Sequence, residues 1–205
     1  MRRRTALAGL AAGAAWAGLS PVAAATFDLV ALQALLQVQA VSRGEFVQEK
    51  YLRGMAQPMT SQGHFVLAQG QGLLWQLRSP LQQDYRITPQ GIARRQGAVW
   101  QSLASQGASA QQNRLFLAVL AGDSDGLAEQ FELQLTGTER GWLLVLKPRS
   151  ALLRQVFDDI RIEGGATVSR IELREAQGDR SVIRLRTTGQ ADRLNADEQE
   201  AFAHA

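Results

Sequence analysis

Two histidines, no cysteine and a few neighbouring acids are what this 205-residue sequence offers to chemistry. His64 lies between Gly63 and Phe65 in a stretch that reads as a strand, where a surface or rim residue is a better reading than a general base. His204 is next to the end of the chain. Asp123-Ser124-Asp125-Gly126 resembles a fragment of a calcium loop, but the remaining ligand positions are absent, and a turn after a helix is simpler. Asp158 and Asp159 do not make a carboxylate pair, because neighbours on a strand point to opposite faces. There is no His-Glu-x-x-His, no Gly-x-Ser-x-Gly and no phosphate-binding glycine loop after the leader, and serine without a placed base is not a nucleophile. The absence of cysteine excludes thiol nucleophiles, Cys-ligated zinc and disulfide frameworks. The expectation is a protein that is not an enzyme, with no cofactor and no metal.

The charge of +3 would favour an anionic partner if it belonged to the folded part. It does not. Arg2, Arg3 and Arg4 precede Ala25 and no acid does, so residues 26–205 keep 19 of the 22 basic groups, against 19 acidic ones. A neutral domain lacks the footprint that nucleic acid requires. Residues 1–25 read as a secretory signal: a basic start, an apolar stretch from Ala6 to Leu19, then Pro21 and Ala23-Ala24-Ala25. A retained anchor would need about 20 apolar residues, and this Gly/Ala-rich run is shorter. Arg3-Arg4-Thr5-Ala6-Leu7 leaves twin-arginine export open beside the ordinary route. The expected product is residues 26–205, one exported domain, a monomer, and periplasmic in a cell with two membranes.

Phe27 to Val41 reads as a helix, with Leu29, Leu32 and Leu36 on one face and Thr26 or Asp28 as its cap. Strands follow at Glu45–Met55, Gly63–Ala68, Gly72–Arg78, Gln83–Thr88, Ile92–Gln96 and Ala98–Leu103, cut by Gly- and Pro-bearing turns. A short helix is expected over Asn113–Ala121. Further strands are expected at Gln130–Thr136, Gly141–Lys147, Asp159–Glu163, Val168–Glu175 and Ser181–Thr187, and a last helix at Asn195–Ala203 with Asn195 as cap. The class is α+β: an antiparallel sheet of about eleven strands curled around helices.

Several strands are apolar on one face only. Phe131, Leu133 and Leu135 alternate with Glu132, Gln134 and Thr136, and Ile171/Leu173 and Ile183/Leu185 alternate with charged residues. A curled sheet of this length encloses more interior than two short helices fill, and an under-filled apolar interior binds apolar ligands. The positions assigned to that interior are Leu32, Leu36, Trp75, Leu77, Tyr85 and Ile87, then Trp100, Phe116, Phe131, Leu133, Leu135, Trp142 and Leu144.

Phe46-Val47-Gln48-Glu49-Lys50 resembles the F-x-Q-x-K opening strand of LolA-type periplasmic lipoprotein carriers. Ser61-Gln62-Gly63-His64-Phe65 is similar to S-x-G-x-F, and Gly72 through Pro80 to G-x-L-W-x-x-R-P. Tyr85 to Ile92, Leu115 to Asp123, Phe131 to Leu135 and Gly141 to Leu144 continue the likeness in order, over roughly residues 27–190. The resemblance implies an unclosed antiparallel β-barrel with a helical lid over an apolar cavity. It implies acylated lipoprotein or other lipid cargo, received from an inner-membrane transporter and passed to an outer-membrane acceptor. It also implies that Arg78 latches the lid by bonding helix carbonyls, although Ser79 stands here before Pro80 where the family has proline directly after arginine. The chain stops soon after its last helix, without the extra C-terminal segment of the best-known carriers. That leaves a glycolipid or polyene-lipid cargo, or a lipid-binding envelope sensor, as alternatives to a lipoprotein.

Overall fold

The computed structural model describes residues 27–103 and 124–203. The expected leader, the helix expected at Asn113–Ala121 with its Phe116, Asp123 and His204 lie outside these residues.

Eleven strands form one sheet, with four helices described around it. In chain order these are α1 (Leu29–Leu36), β1 (Val41–Tyr51), β2 (Met59–Ala68), β3 (Gly72–Ser79), β4 (Gln83–Thr88), β5 (Gly91–Gln96) and β6 (Val99–Ser102). Then come α2 (Ser124–Gln130), β7 (Phe131–Thr138), β8 (Gly141–Pro148), α3 (Ala151–Arg154), β9 (Phe157–Gly164), β10 (Val168–Glu175), β11 (Arg180–Ala191) and α4 (Ala196–Ala203). The spatial order is β6-β5-β4-β3-β2-β1-β11-β10-β9-β8-β7. Every neighbouring pair is antiparallel, and β6 and β7 end the sheet without meeting, so the barrel is not closed.

Most of these pairs are hairpins between successive strands, which local turn chemistry specifies. Gly97, for example, takes φ +63° in the two-residue turn joining Gln96 to Val99. The exception is β1 with β11, which joins the two halves along eleven residues from Val41–Ala191 to Tyr51–Arg180. A bulge falls between Arg43 and Gly44 on that seam. At Gly44 a Cβ would lie 2.4 Å from the Arg186 carbonyl oxygen and 2.5 Å from the Phe65 ring, so only glycine lets these strands and that ring meet.

The first helix is shorter than its sequence pattern predicts. Asp28 caps it, accepting from Ala31 N at 2.9 Å, but it ends at Leu36 rather than Val41. Val41 and its neighbours are taken by pairing with both β2 and β11, and Gln69 N bonds the Ala40 carbonyl at 2.9 Å. Strand pairing outcompetes helix periodicity here. Ser124–Gln130 is the helix α2, where the sequence predicts a turn. The four-residue α3, capped by Ser150, was not foreseen.

The two faces of the sheet differ. One is apolar almost throughout and lies under α1 and α2, with Leu32 and Leu127 buried in its cluster. The other carries a lattice of cross-strand ion pairs over β1, β11, β10 and β9: Glu45–Arg186 at 2.5 Å, Glu49–Arg184 at 2.6 Å, and Arg170 with both Glu163 and Glu172. Arg184 holds the Glu49 carboxyl below its ordinary range. Exposed pairs of this kind add little stability each, but they keep that face wet and in register.

Candidate functional site

Alternation puts one side chain in two on the inner face, and the strands contribute in layers. Trp75 stacks on Phe46 with ring centroids 3.5 Å apart and 18° between planes. Beside them, Leu32 of α1, Ile87 of β4 and Phe131 of β7 are buried. Trp142 and Leu144 of β8 are buried too, and the indole nitrogen of Trp142 donates to Gly165 O at 2.9 Å. Leu36, Leu77, Tyr85, Leu133 and Leu135 pack on the same cluster while remaining half-exposed. Thus eleven of the thirteen residues assigned to an interior from sequence converge on one apolar surface.

Trp100 does not. Its register opposite Arg95 puts it on the outer face, in a second cluster with Val41, Val66, Leu74 and Phe202. The Arg86 guanidinium lies 5.0 Å from its ring centroid. Phe116 is outside the described residues.

Sequence reading missed a comparable share of the surface. Phe46, Phe65, Leu73 and Leu146, and the pair Ile160/Ile162, are all in the inner cluster. Their alternation was the available signal; which face it addressed was not.

A pocket of about 30 Å³ opens between the end of α1 and the sheet, lined by Leu36, Phe65, Leu67, Val168 and Leu185 with the hydroxyls of Ser42, Thr167 and Thr187. That is room for one or two waters and not for an acyl chain. The Leu36 side chain is one of its walls, so displacing α1 enlarges it.

The latch that the resemblance implies for Arg78 would close on helix carbonyls, and the helix expected at Asn113–Ala121 lies outside the described residues. The Arg78 guanidinium donates to Asp84 at 2.6 Å and to the carbonyl of Leu77 at 2.8 Å, both within its own hairpin. Among the described residues it bonds no helix. The α1 carbonyl end is held instead by Gln69, whose Nε2 donates to Leu36 O at 3.2 Å. Two other arginines do bond helix carbonyls: Arg149, through Nε to Ala128 O of α2 at 3.1 Å, and Arg86, through Nη1 to Ala201 O of α4 at 2.7 Å on the opposite face.

The outer helix is tied twice more. Arg43 grips Glu198 with two hydrogen bonds of 2.6 and 2.5 Å, and Glu198 and Asn195 cap each other reciprocally at 2.8 and 2.9 Å. These bonds, Arg43 first, hold the Glu198 carboxyl below its usual 4.5. Among the described residues no three His, Asp or Glu side chains converge to hold a metal, and His64 is exposed opposite Glu45 on the outer face.

The protein family described as outer membrane lipoprotein carrier protein LolA-like matches residues 19–204. Among solved structures, a LolA superfamily protein from Nitrosomonas europaea shares 10% identity at a TM-score of 0.46, covering 83% of this chain and 96% of its own. The MucA/MucB complex of Pseudomonas aeruginosa shares 17% identity at a TM-score of 0.43, covering 84% of this chain and 59% of its own. No curated protein matches the sequence.

Proposed function

The chain belongs to the family of LolA-like outer membrane lipoprotein carrier proteins, and from that premise we propose that it carries the acyl chains of a lipid-modified cargo across the periplasm, without chemical conversion. The observation that supports this is the inner face: a continuous apolar surface on an unclosed sheet, covered by a helix that buries only Leu32 fully. Each acyl CH₂ left in water costs about 0.8 kcal/mol, so cargo in transit needs such a surface. Broad apolar contact binds a chain without committing to it, because no strong polar bond must break on release. Loading on this reading moves α1 outward from the pocket at Leu36, and the exchanged surface is greasy before and after. An inner-membrane transporter supplies the cargo and an outer-membrane acceptor takes it.

The test is extraction of the protein purified from native periplasm, followed by mass spectrometry. Peptide-linked acyl groups support lipoprotein cargo, and a free glycolipid moves the assignment to that class. Neither species, together with no emission gain from an apolar fluorophore, overturns the carrier reading.

A further inference from the structure

The two ends of the sheet are unlike. At one end lie the β2–β3, β4–β5, β7–β8 and β9–β10 turns, which hold no large exposed apolar side chain, and the α1–β1 connection, which holds one, Val38. At the other lie the β1–β2, β3–β4, β5–β6 and β10–β11 turns and the β8–α3–β9 connection. This second rim holds Met55, Met59, Leu81, Val99 and Leu152, all more than half exposed, with Leu81 at 73% and Leu152 at 72%. Successive hairpins of one sheet are about 10 Å apart, so these side chains stand on separate fingertips along an arc rather than in one flat patch.

Arginines accompany them. Arg53, Arg95, Arg149 and Arg154 are exposed on the same rim, and among the described residues none forms a salt bridge. Arg95, Arg149 and Arg154 spend a nitrogen on nearby backbone carbonyls of Gly97, Phe131 and Arg149 respectively, which fixes the side chain and leaves its charge unneutralised. Acids share the rim, among them the exposed Glu129 next to Ala128, whose carbonyl Arg149 bonds. Asp84 is paired with Arg78 and Glu175 with Lys50, Asp179 accepts from Arg53 N, and Asp158 is exposed. On the β9–β11 lattice arginines are paired with acids, whereas Arg140 and Arg193, away from the rim, are exposed and among the described residues form no salt bridge either.

We propose that this rim docks on an anionic phospholipid surface, the five apolar side chains entering the headgroup boundary and the four arginines meeting lipid phosphates. Separated apolar tips suit a bilayer, which closes around each one, whereas a protein partner needs a contiguous complementary patch. The unneutralised arginines select the sign of that surface. The inference concerns the outside of the protein and holds whatever its cargo.

Sedimentation of the mature protein with phosphatidylethanolamine–phosphatidylglycerol vesicles, against phosphatidylcholine vesicles, tests it. Binding is expected to the anionic vesicles and to weaken with salt. Leu81→Ser/Leu152→Ser should bind about tenfold more weakly, and Arg53→Gln/Arg95→Gln should lose the preference for anionic lipid. All four side chains are exposed, so far-UV circular dichroism and fluorophore uptake should match the parent. No binding to either vesicle, or binding that both variants leave intact, overturns the proposal. So does retention only on membranes that still contain their proteins, which would assign the rim to a protein partner.

Discussion

Arg86, on the fourth strand, donates to the carbonyl oxygen of Ala201 in the last turn of α4, 2.7 Å away across 115 residues of chain. The same guanidinium lies against Trp100 and is buried to 5% exposure, which depresses its pKa by desolvation without removing its charge. One side chain therefore ties a strand, an edge-strand tryptophan and the terminal helix together on the outer face.

Replacing Arg86 with methionine keeps the stem and deletes the donor. A hydrogen bond from a charged group is worth about 1.5–3 kcal/mol, and that is the scale of the expected loss. Denaturant unfolding should show a lower midpoint, and amide exchange should rise first at Ala196–Ala203. An exchange pattern that is faster everywhere except in α4 would contradict the tie.

The Arg43–Glu198 pair predicts how acid acts on the same helix. Glu198 has a depressed folded-state pKa, so its contribution is complete above the unfolded value and is lost as pH falls through the folded one. The stability difference between the parent and Glu198→Gln, measured by urea midpoints, should be constant near neutrality and shrink below about pH 4. A gap that is equally wide under those acid conditions would argue against the pair.

Gly44→Ala tests the seam between the two halves. The added Cβ meets the Arg186 carbonyl and the Phe65 ring, and at least one of these is backbone that cannot turn away. Forced packing of this kind costs roughly 1–3 kcal/mol, and a shift of β11 along the bulge is its natural relief. A melting temperature unchanged from the parent would show that the contact is looser than the geometry states.

Arg78 and Gln69 make opposite predictions for uptake of an apolar fluorophore. Arg78→Leu breaks a pair that, among the described residues, stays within its own hairpin, and it should leave uptake as it was. Gln69→Ala frees the Leu36 carbonyl at the end of α1 and should raise uptake by about the fivefold that one ordinary hydrogen bond of ~1 kcal/mol represents. Increased uptake in the arginine variant alone would return the latch to Arg78.

Local chemistry was legible where it acted locally. Alternation marked Phe131–Leu135 and Ile171–Leu173 as one-sided strands, glycine and proline marked their turns, and Asp28 and Asn195 capped the helices as their positions predicted. That was enough for the antiparallel class and for most of the apolar face, because period-two patterning and capping involve only near neighbours. The choice of face for Trp100, the end of α1 at Leu36 and the partners of Arg78 and Arg86 depend on residues distant in the chain. A tryptophan beside a turn is equally apolar on either side of a sheet; only its register against Arg95 sends it outward. An arginine carries the same five donors wherever it stands, and only the folded path gives Ala201 of α4 to Arg86, Ala128 of α2 to Arg149 and Asp84 to Arg78.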